Sequence, residues 1–353
     1  MIKAGVIGAA GFAGIQAVSI LDTHPNFELS KIASDANEGM ALSQVYPAFI
    51  NSEAEEMTFL KNEDESFFDL DVVFLAVPHK ASLEITPKFL EAGVVVIDLS
   101  ADFRLKDAHV YEKWYGVKHT HAELLESRFF GLPELFPEDM NEAHKCYEEN
   151  KPVLVACAGC YVTATSLAAK PFIESGFFDD KTLPVADAIS GFTGAGKNPG
   201  AKGLFVNATE NASAYGVTHH RHTPEIEQIL GTEIVFTPHL APLSRGILST
   251  VTCKVKQGEF LTDLDCHAMY SKFYHNSHFV KVLDTGQFPQ TANVAGTNIA
   301  HIGAAYSEEK QVVISVCAID NLVKGAAGQA VQCANLVFGF SEDAGLNSVS
   351  LPV

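Results

Sequence analysis

The first 35 residues constrain the fold more than any other segment, because they combine a strand, a glycine-rich turn and a helix. Ala4 to Ile7 read as an apolar strand, and Gly8-Ala9-Ala10-Gly11-Phe12-Ala13-Gly14 leads into an amphipathic helix that ends near Leu21. A second strand follows from Glu28 to Ala33. This order predicts a βαβ unit in which the glycines let the backbone approach a pyrophosphate and the helix N-terminus stabilises its charge. The alternative is a tight strand-to-helix turn that holds no ligand.

Two further apolar runs extend this unit into a doubly wound sheet. They are Asp71 to Val77 and Gly93 to Leu99, and a helical stretch from Lys80 to Ala92 lies between them. Strands that are apolar on both faces suit a parallel sheet covered by helices on both sides. We therefore expect an α/β dinucleotide-binding domain over residues 1–155.

The pattern changes beyond Ser190, where glycine-rich turns give way to long alternating segments. Leu248 to Lys256 and Gln311 to Asp320 predict an antiparallel or mixed sheet in a second domain, residues 156–320. Asn321 to Phe338 reads as a terminal helix, and we expect the last stretch, 321–353, to complete the first domain. A chain of 353 residues is long enough for two domains.

An acidic residue follows the second strand, at the position that selects between dinucleotides. Asp35 comes directly after Ser34. A carboxylate here usually accepts a hydrogen bond from the ribose 2′-hydroxyl and disfavours a 2′-phosphate. Taken alone, Asp35 favours NAD over NADP.

The segment Val153 to Ala168 runs from an apolar strand through a small-residue turn into a helix, with Cys160 at the helix N-terminus. There the peptide dipoles favour a thiolate, which is a nucleophile, although a buried structural cysteine is an equal alternative from this segment alone. Cys157 and Cys160 form a C-x-x-C pair, but the chain offers no second pair for zinc, and Cys157 ends an apolar strand. Zinc and thioredoxin-like readings are therefore disfavoured, and no metal site is predicted.

Three other segments carry polar chemistry. His219 to Glu225 holds three imidazoles, an arginine and a carboxylate in seven residues, with Pro224 placed to open a helix. A metal site or a polar surface turn is the alternative. Ser190 to Lys197 is a flexible loop that ends in a cation, and Arg104 follows the carboxyl end of a strand, where open α/β sheets bind ligands.

Composition excludes several classes of function. Hydrophobic residues make up 47% and charged residues 19%, and the net charge of −19 disfavours nucleic acid and anionic membranes as partners. The seven cysteines show no regular spacing, which indicates a reducing compartment. No signal peptide or membrane-spanning run is visible, so we expect a cytoplasmic protein that acts on a small molecule.

Taken together and in this order, the motifs closely resemble those of the N-acetyl-γ-glutamyl-phosphate reductase family, relatives of aspartate-semialdehyde and glyceraldehyde-phosphate dehydrogenases. The resemblance covers nearly the whole chain and rests most specifically on Gly159-Cys160-Tyr161 and His220-Arg221-His222-Thr223-Pro224-Glu225. The other matching segments are Gly8 to Gly14, Val77-Pro78-His79, Asp98 to Arg104, Ser190 to Lys197, Thr237-Pro238-His239-Leu240, Arg245-Gly246-Ile247 and Asp320 to Ala327.

The resemblance implies NADPH-dependent reduction of N-acetyl-γ-glutamyl phosphate to N-acetylglutamate 5-semialdehyde, with release of phosphate, through a thioester on Cys160. It implies a Rossmann domain plus an α+β catalytic and oligomerisation domain, in a homodimer or homotetramer. His222 would be the acid/base. Implied substrate-binding residues are Ser100, Arg104, His220, Arg221 and Glu225. Implied cofactor-binding residues are Gly8, Gly11, Phe12, Ala13, Gly14, Ser34, His79, Ser190, Gly191, Asn321 and Lys324.

The sequence departs from the family pattern at two places. Ala158 and Val162 stand where the family commonly has proline, and Asp35 follows Ser34 where members often carry serine and arginine for NADPH. NADP is therefore expected from the resemblance, with NAD the alternative because of Asp35. Rival functions are an aspartate-semialdehyde dehydrogenase-like reductase of another acyl phosphate, a non-enzymatic dinucleotide sensor and a cofactor-independent cysteine hydrolase.

Overall fold

The chain forms two compact units in the computed structural model, which describes residues 1–197 and 200–351. Unit 1 comprises Met1–Ala158 and Ala326–Asn347, and unit 2 comprises Gly159–Gly325 and the last residues from Ser348. The final two residues of the stretch predicted to complete the first domain, 352 and 353, lie outside the described residues.

Unit 1 is built around a parallel sheet with the strand order β3-β2-β1-β4-β5-β7-β6. Its strands are β1 Ile2–Ile7, β2 Phe27–Ala33, β3 Phe59–Leu60, β4 Val72–Leu75, β5 Val95–Asp98, β6 Phe129–Gly131 and β7 Leu154–Cys157. Its helices are α1 Phe12–Asp22, α2 Leu42–Val45, α3 Ala81–Glu91, α4 Ala108–Tyr115, α5 Leu124–Ser127, α6 Pro137–Glu148 and, from the C-terminal stretch, α11 Gly328–Val337. The predicted doubly wound α/β architecture is confirmed.

The strands of unit 1 form where the sequence is apolar on both faces. All four residues of β4 are buried, as are those of β5 and β7. Helix α11 packs on α1, α6, β5 and β7, and its own residues are largely buried. The last helix therefore supplies part of the core that the first strands require.

Unit 2 contains a mixed sheet with the order β12-β13-β14-β11-β8-β10-β9. Its strands are β8 Val185–Ser190, β9 Ser213–Ala214, β10 Val235–Leu240, β11 Ile247–Lys254, β12 Val280–Val282, β13 Ala300–Ser307 and β14 Val312–Ile319. Its helices are α7 Cys160–Ile173, α8 Phe205–Ala208, α9 Thr223–Leu230 and α10 Asp263–Phe273. The predicted mixed or antiparallel sheet is confirmed.

One face of this second sheet is covered by α7, which packs on β11 and β14. The strands accordingly alternate: β11 is buried at every second residue, and β8 alternates buried with exposed residues. Alternation of this kind marks a sheet with one face on a core and the other turned away from it.

The terminal helix is shorter than the sequence predicts. The structure shows a π-helical turn at Val323–Ala327 before α11 begins at Gly328. The Gly325 amide donates to the Asp320 carbonyl at 2.9 Å, a bond across five residues. Gly325 and Gly328 are poor helix formers, which makes this widened turn accessible. Among the described residues, no helix has the length and apolar character needed to cross a membrane.

Candidate active site

The candidate nucleophile begins a helix, as the sequence predicts. Cys160 is the first residue of α7, Gly159 is its extended N-cap, and the thiol is half-buried. The N–H groups of the first turn point out of the helix end, where the aligned peptide dipoles favour negative charge. A thiolate at this position is therefore electrostatically supported.

A buried carboxylate holds the turn that precedes Cys160. The Gly159 amide donates to Oε1 of Glu225 at 3.1 Å, and only 1% of the Glu225 side chain is exposed. Glu225 belongs to the first turn of α9, with Pro224 at the start of that helix as predicted. One carboxylate thus joins the N-terminal ends of two helices and fixes the backbone on which the thiol is carried.

The π-helical turn lies directly against Cys160, the candidate nucleophile. A Cβ atom added at Gly325 would stand 2.8 Å from Cβ of Cys160 and 3.2 Å from its Cα. Only a glycine lets the two backbones approach this closely. No role is predicted for Gly325 from the sequence, where its signal is a glycine inside an otherwise helical pattern.

The rings of His220 and His222 pack against each other and against the Tyr161 ring. The His222 amide donates to Nδ1 of His220 at 3.2 Å, and the two ring centroids are 4.9 Å apart. Burial, with a smaller contribution from the Arg221 charge, lowers the pKa of His220 to about 4. His220 is therefore neutral near pH 7, and because its Nδ1 accepts a hydrogen bond, Nε2 carries the ring proton.

Two tyrosines lie near these histidines, and one of them, Tyr161, directly follows Cys160 in the sequence. The Tyr161 ring lies edge-on to His220 and His222 at centroid distances of 5.6 and 6.1 Å. Tyr215 donates its hydroxyl hydrogen to the Tyr161 hydroxyl at 3.2 Å, and Tyr161 donates to the His239 carbonyl at 3.0 Å. Burial chiefly raises the pKa of Tyr215 to about 12, and the Cys160 charge adds to the rise. Sequence analysis missed Tyr215, which stands alone between motifs.

The predicted loop from Ser190 meets other predicted residues within unit 2. Gly191 has no room for a side chain, since an added Cβ would lie 2.7 Å from the Ser244 carbonyl oxygen. Asn321 accepts from the Gly246 amide at 2.7 Å and donates to Thr193 Oγ1 at 3.0 Å. Ser190, Gly191 and Asn321 thus belong to one hydrogen-bonded cluster, while their contact with a dinucleotide stays a prediction.

Lys324 and Arg221, which are both predicted to contact a ligand, differ in exposure. The Lys324 side chain has no exposed surface, and its Nζ lies 5.7 Å from the centroid of the Phe279 ring. Arg221, by contrast, is exposed. The predicted roles of both residues stay predictions.

The glycine turn of unit 1 has the shape that a pyrophosphate requires. Gly8 has φ +80°, and a Cβ at Gly14 would lie 2.2 Å from the Gly8 carbonyl oxygen. The N-cap of α1 is Gly11, and no described side chain caps this helix. The first-turn amides of Phe12 and Ala13 therefore meet no competing carboxylate or hydroxyl cap, which fits the binding of an anion.

The residue at the position that selects between NAD and NADP, Asp35, already accepts hydrogen bonds from within unit 1. Asp35 begins a short 3₁₀ turn after β2, and its two carboxylate oxygens accept hydrogen bonds from the Asn62 amide at 2.9 Å and the Asn62 side chain at 2.7 Å. Ser34 is buried and donates to Asn37 at 3.1 Å. Asn62 lies beyond β3, and nothing in the sequence pattern pointed to it.

Polar side chains in the segment after β5 form their hydrogen bonds within unit 1. Ser100 donates its hydroxyl hydrogen to Asp98 at 2.8 Å, and Arg104 donates from Nη2 to the Leu99 carbonyl at 2.7 Å. Both side chains are buried, so their predicted contacts with substrate stay predictions. Burial, reinforced by the Asp102 charge, raises the pKa of Asp98 to about 6.

The described residues were compared with the side-chain groups that hold metal ions in proteins. No group of three or more histidine, cysteine, aspartate or glutamate side chains there could hold an ion. Cys157 is 1% exposed at the end of β7, and both it and Cys160 are free thiols.

Comparison with known proteins identifies two consecutive family regions. Residues 3–143 match the semialdehyde dehydrogenase NAD binding domain, and residues 160–321 match the semialdehyde dehydrogenase dimerisation domain. N-acetyl-gamma-glutamyl-phosphate reductase of Ruthia magnifica is 38% identical over 357 residues, covering 99% of each chain. The protein of the same name from Desulforamulus reducens is 40% identical, covering 98% of each. Aspartate semialdehyde dehydrogenase II of Vibrio cholerae has a similar fold, with a TM-score of 0.70 at 17% identity, covering 96% of this chain and 98% of that one.

Proposed function

The chain belongs to the family of N-acetyl-γ-glutamyl-phosphate reductases, and on that premise we propose that it reduces N-acetyl-γ-glutamyl phosphate to N-acetylglutamate 5-semialdehyde with release of phosphate, a step of arginine biosynthesis. The observation that carries the proposal is the setting of Cys160. The thiol stands at the N-terminus of α7, between the Gly159–Glu225 hydrogen bond and the close approach of Gly325. A thiol whose backbone is fixed in this way, and whose neighbour Tyr161 packs against His220 and His222, suits covalent catalysis.

The first step is acyl transfer to sulfur. The Cys160 thiolate attacks the acyl carbon, a carbon–sulfur bond forms, and the bond from carbon to the phosphate oxygen breaks. First-turn amides of α7 are placed to stabilise the oxyanion of the tetrahedral stage. The product is a thioester, which is reducible where a carboxylate is not.

The second step needs a hydride, which a bound nicotinamide dinucleotide supplies. After hydride addition, breaking of the carbon–sulfur bond releases the aldehyde and restores the Cys160 thiolate. We assign the proton at the reacting oxygen to His222, which packs beside Tyr161 and whose neighbour His220 stays neutral. Substrate orientation is assigned to His220, Arg221, Glu225, Ser100 and Arg104, although the buried Glu225 also serves to position Cys160.

We propose NADPH as the reductant, with NADH the alternative. Unit 1 belongs to a dinucleotide-binding family region, and its glycine turn fits a pyrophosphate. Asp35 carries the charge that opposes a 2′-phosphate, yet both of its oxygens already accept hydrogen bonds from Asn62. Asn62→Ala removes the side-chain donor and keeps the backbone one, so it frees one carboxylate oxygen to accept from a ribose and should shift the ratio of kcat/KM toward NADH.

The reverse reaction tests the whole proposal. N-acetylglutamate semialdehyde and phosphate are supplied with NADP in one cuvette and NAD in another, and reduced-cofactor absorbance is followed. Cys160→Ala should lose at least about 10³-fold in rate. Cys146→Ala is the matched control, since Cys146 is also a half-buried free thiol, and it should stay within about twofold of the wild type.

Three other results would each contradict the proposal and indicate a different function. Turnover with aspartate semialdehyde alone would replace the proposed substrate with that of the related dehydrogenases. Binding of dinucleotide without turnover of either aldehyde would indicate a sensor. Thioester or ester hydrolysis without cofactor would indicate a cysteine hydrolase.

We propose that the enzyme is a homodimer or homotetramer formed through the uncovered face of the second sheet. The matched dimerisation region includes β8 and β10, where Val185, Ile189 and Val235 are 39%, 38% and 45% exposed. Val185 and Val235 are neighbours in the strand register and form an apolar pair, and Ile189 lies on the same face of β8, with Asp187 between it and Val185. Ile189→Asp should yield a smaller species by light scattering, whereas Leu264→Asp, on the exposed side of α10, should not.

The free thiols suit a reducing, cytoplasmic compartment.

A further inference from the structure

Lys80 adopts a backbone conformation that its side chain does not favour. Its φ is +81° at the N-cap position just before α3, in the left-handed region that glycine and asparagine adopt far more readily than lysine. The side chain is exposed, so packing of the lysine itself does not enforce this geometry. Another group must hold the turn.

That group is Asp102. Its two carboxylate oxygens both accept from the Lys80 amide, at 3.0 and 2.8 Å, and the side chain is fully buried. Tyr111 donates its hydroxyl hydrogen to the same carboxylate at 2.7 Å. The Asp102 backbone is fixed as well, because its amide donates to Ser100 Oγ at 3.2 Å and its carbonyl oxygen lies 2.9 Å from Nε2 of His119.

The same carboxylate also anchors the aromatic surface against which His79 rests. The Tyr111 ring stacks on Tyr115 with centroids 4.7 Å apart and planes inclined by 13°. The His79 ring lies edge-on to Tyr115 at 5.4 Å. Asp102 therefore acts on His79 from two sides, through the Lys80 amide next along the chain and through the Tyr111–Tyr115 stack.

We propose that Asp102 is a positioning residue of the dinucleotide site: it locks the turn from Pro78 to Lys80 so that His79 is presented at the carboxyl end of β4. Ligands of open α/β sheets bind at the carboxyl ends of the strands, and Asp102 follows the neighbouring strand β5. The inference rests on the proposed function to the extent that His79 contacts the dinucleotide. Asp102 itself is buried and touches no ligand.

The first test uses the exposed partner, so that folding is not at risk. Lys80→Gly and Lys80→Val both remove the ammonium group, but only valine resists a positive φ. The dissociation constant of NADPH, measured by its fluorescence in the full-length protein, should stay within about twofold of the wild type for glycine. For valine it should rise at least about tenfold.

The second test removes the acceptor. Asp102→Asn should weaken NADPH at least about tenfold and accelerate hydrogen exchange of the Lys80 amide. The double variant Asp102→Asn/Lys80→Gly should recover most of the lost affinity, because glycine keeps the turn without the carboxylate. Asp107→Asn is the matched control: Asp107 also accepts a backbone amide at a helix start, from His109 at 2.7 Å, and should leave affinity unchanged.

Failure of the inference and failure of the assigned His79 role give different patterns. Equal effects of glycine and valine at position 80, or no rescue in the double variant, would overturn the positioning role even if His79→Ala weakens NADPH. If His79→Ala leaves the dissociation constant unchanged, the contact assigned to His79 is refuted, and the inference falls with it even where Lys80 exchange is accelerated.

Discussion

Replacing Gly325 with alanine is expected to displace Cys160, the proposed nucleophile. The added methyl carbon would lie 2.8 Å from Cβ of Cys160, whereas ordinary contact begins at 3.4 Å, so the separation must grow by about 0.6 Å (3.4 − 2.8). Gly325 does not have a positive φ, so its backbone conformation is open to alanine and the effect is purely steric. A misplacement of about 1 Å can lower a rate by roughly 10²-fold, and 0.6 Å therefore predicts a loss in kcat of about tenfold.

The assay measures kcat, KM and the rate at which iodoacetamide alkylates Cys160. We expect kcat and the alkylation rate to change with little change in KM, since the substrate-binding residues are untouched. Overpacking also lowers stability by about 1–3 kcal/mol. Gly339→Ala controls for the loss of stability, because its φ of +71° disfavours alanine and the methyl group would lie 2.9 Å from His144 within unit 1, so the protein is destabilised without a contact to Cys160. A Gly325→Ala enzyme with wild-type kcat and alkylation rate would refute the argument.

Three other changes follow from the geometry. Glu225→Ala leaves the Gly159 amide without its hydrogen-bond acceptor, which costs about 1–3 kcal/mol of stability, and kcat should fall about 10- to 100-fold. Glu225→Gln keeps a carbonyl oxygen at this place, so its kcat should fall far less. The pKa of Asp98 is raised from 3.8 to about 6, so between these pH values the folded state keeps a proton that the unfolded chain releases. The stability that this group contributes is full at low pH and falls by about 3 kcal/mol as pH rises from about 4 to above 6. Urea melts should show this loss in the wild type and not in Asp98→Asn. Gly14→Ala places a methyl group 2.2 Å from the Gly8 carbonyl oxygen and should abolish NADPH binding in a fluorescence titration; an unchanged dissociation constant would remove the glycine turn from the site.

The sequence predicted those parts of the fold that depend on local pattern. Continuous apolar runs located β4 and β5, alternation located β11 and β14, and the small-residue turn placed Cys160 at the start of α7. Each of these signals lies within a few neighbouring residues, where burial and backbone preference act directly.

The contacts that fix the site join residues far apart in the sequence. Glu225 is 66 positions from Gly159, and Asp102 is 22 from Lys80. No periodicity or composition encodes such pairs, because a carboxylate and an amide have no local signature of their future partner. The π-helical turn likewise depends on the close approach of Gly325 to Cys160, which a pattern of alanines and glycines cannot distinguish from a plain helix.

The division of the chain into units also sets an order of assembly during synthesis. Unit 1 takes its last helix from Ala326–Asn347, which is synthesised only after residues 159–325, the larger part of unit 2. At about 5–20 residues per second, a ribosome needs roughly ten to thirty seconds to make that intervening segment. Throughout this interval the first sheet lacks the cover of α11, and Cys160 lacks the glycine that packs against it. The surroundings of Cys160 and the fold of unit 1 are therefore both completed by the last tenth of the chain to emerge, so an unfinished polypeptide carries the proposed nucleophile before its backbone is fixed.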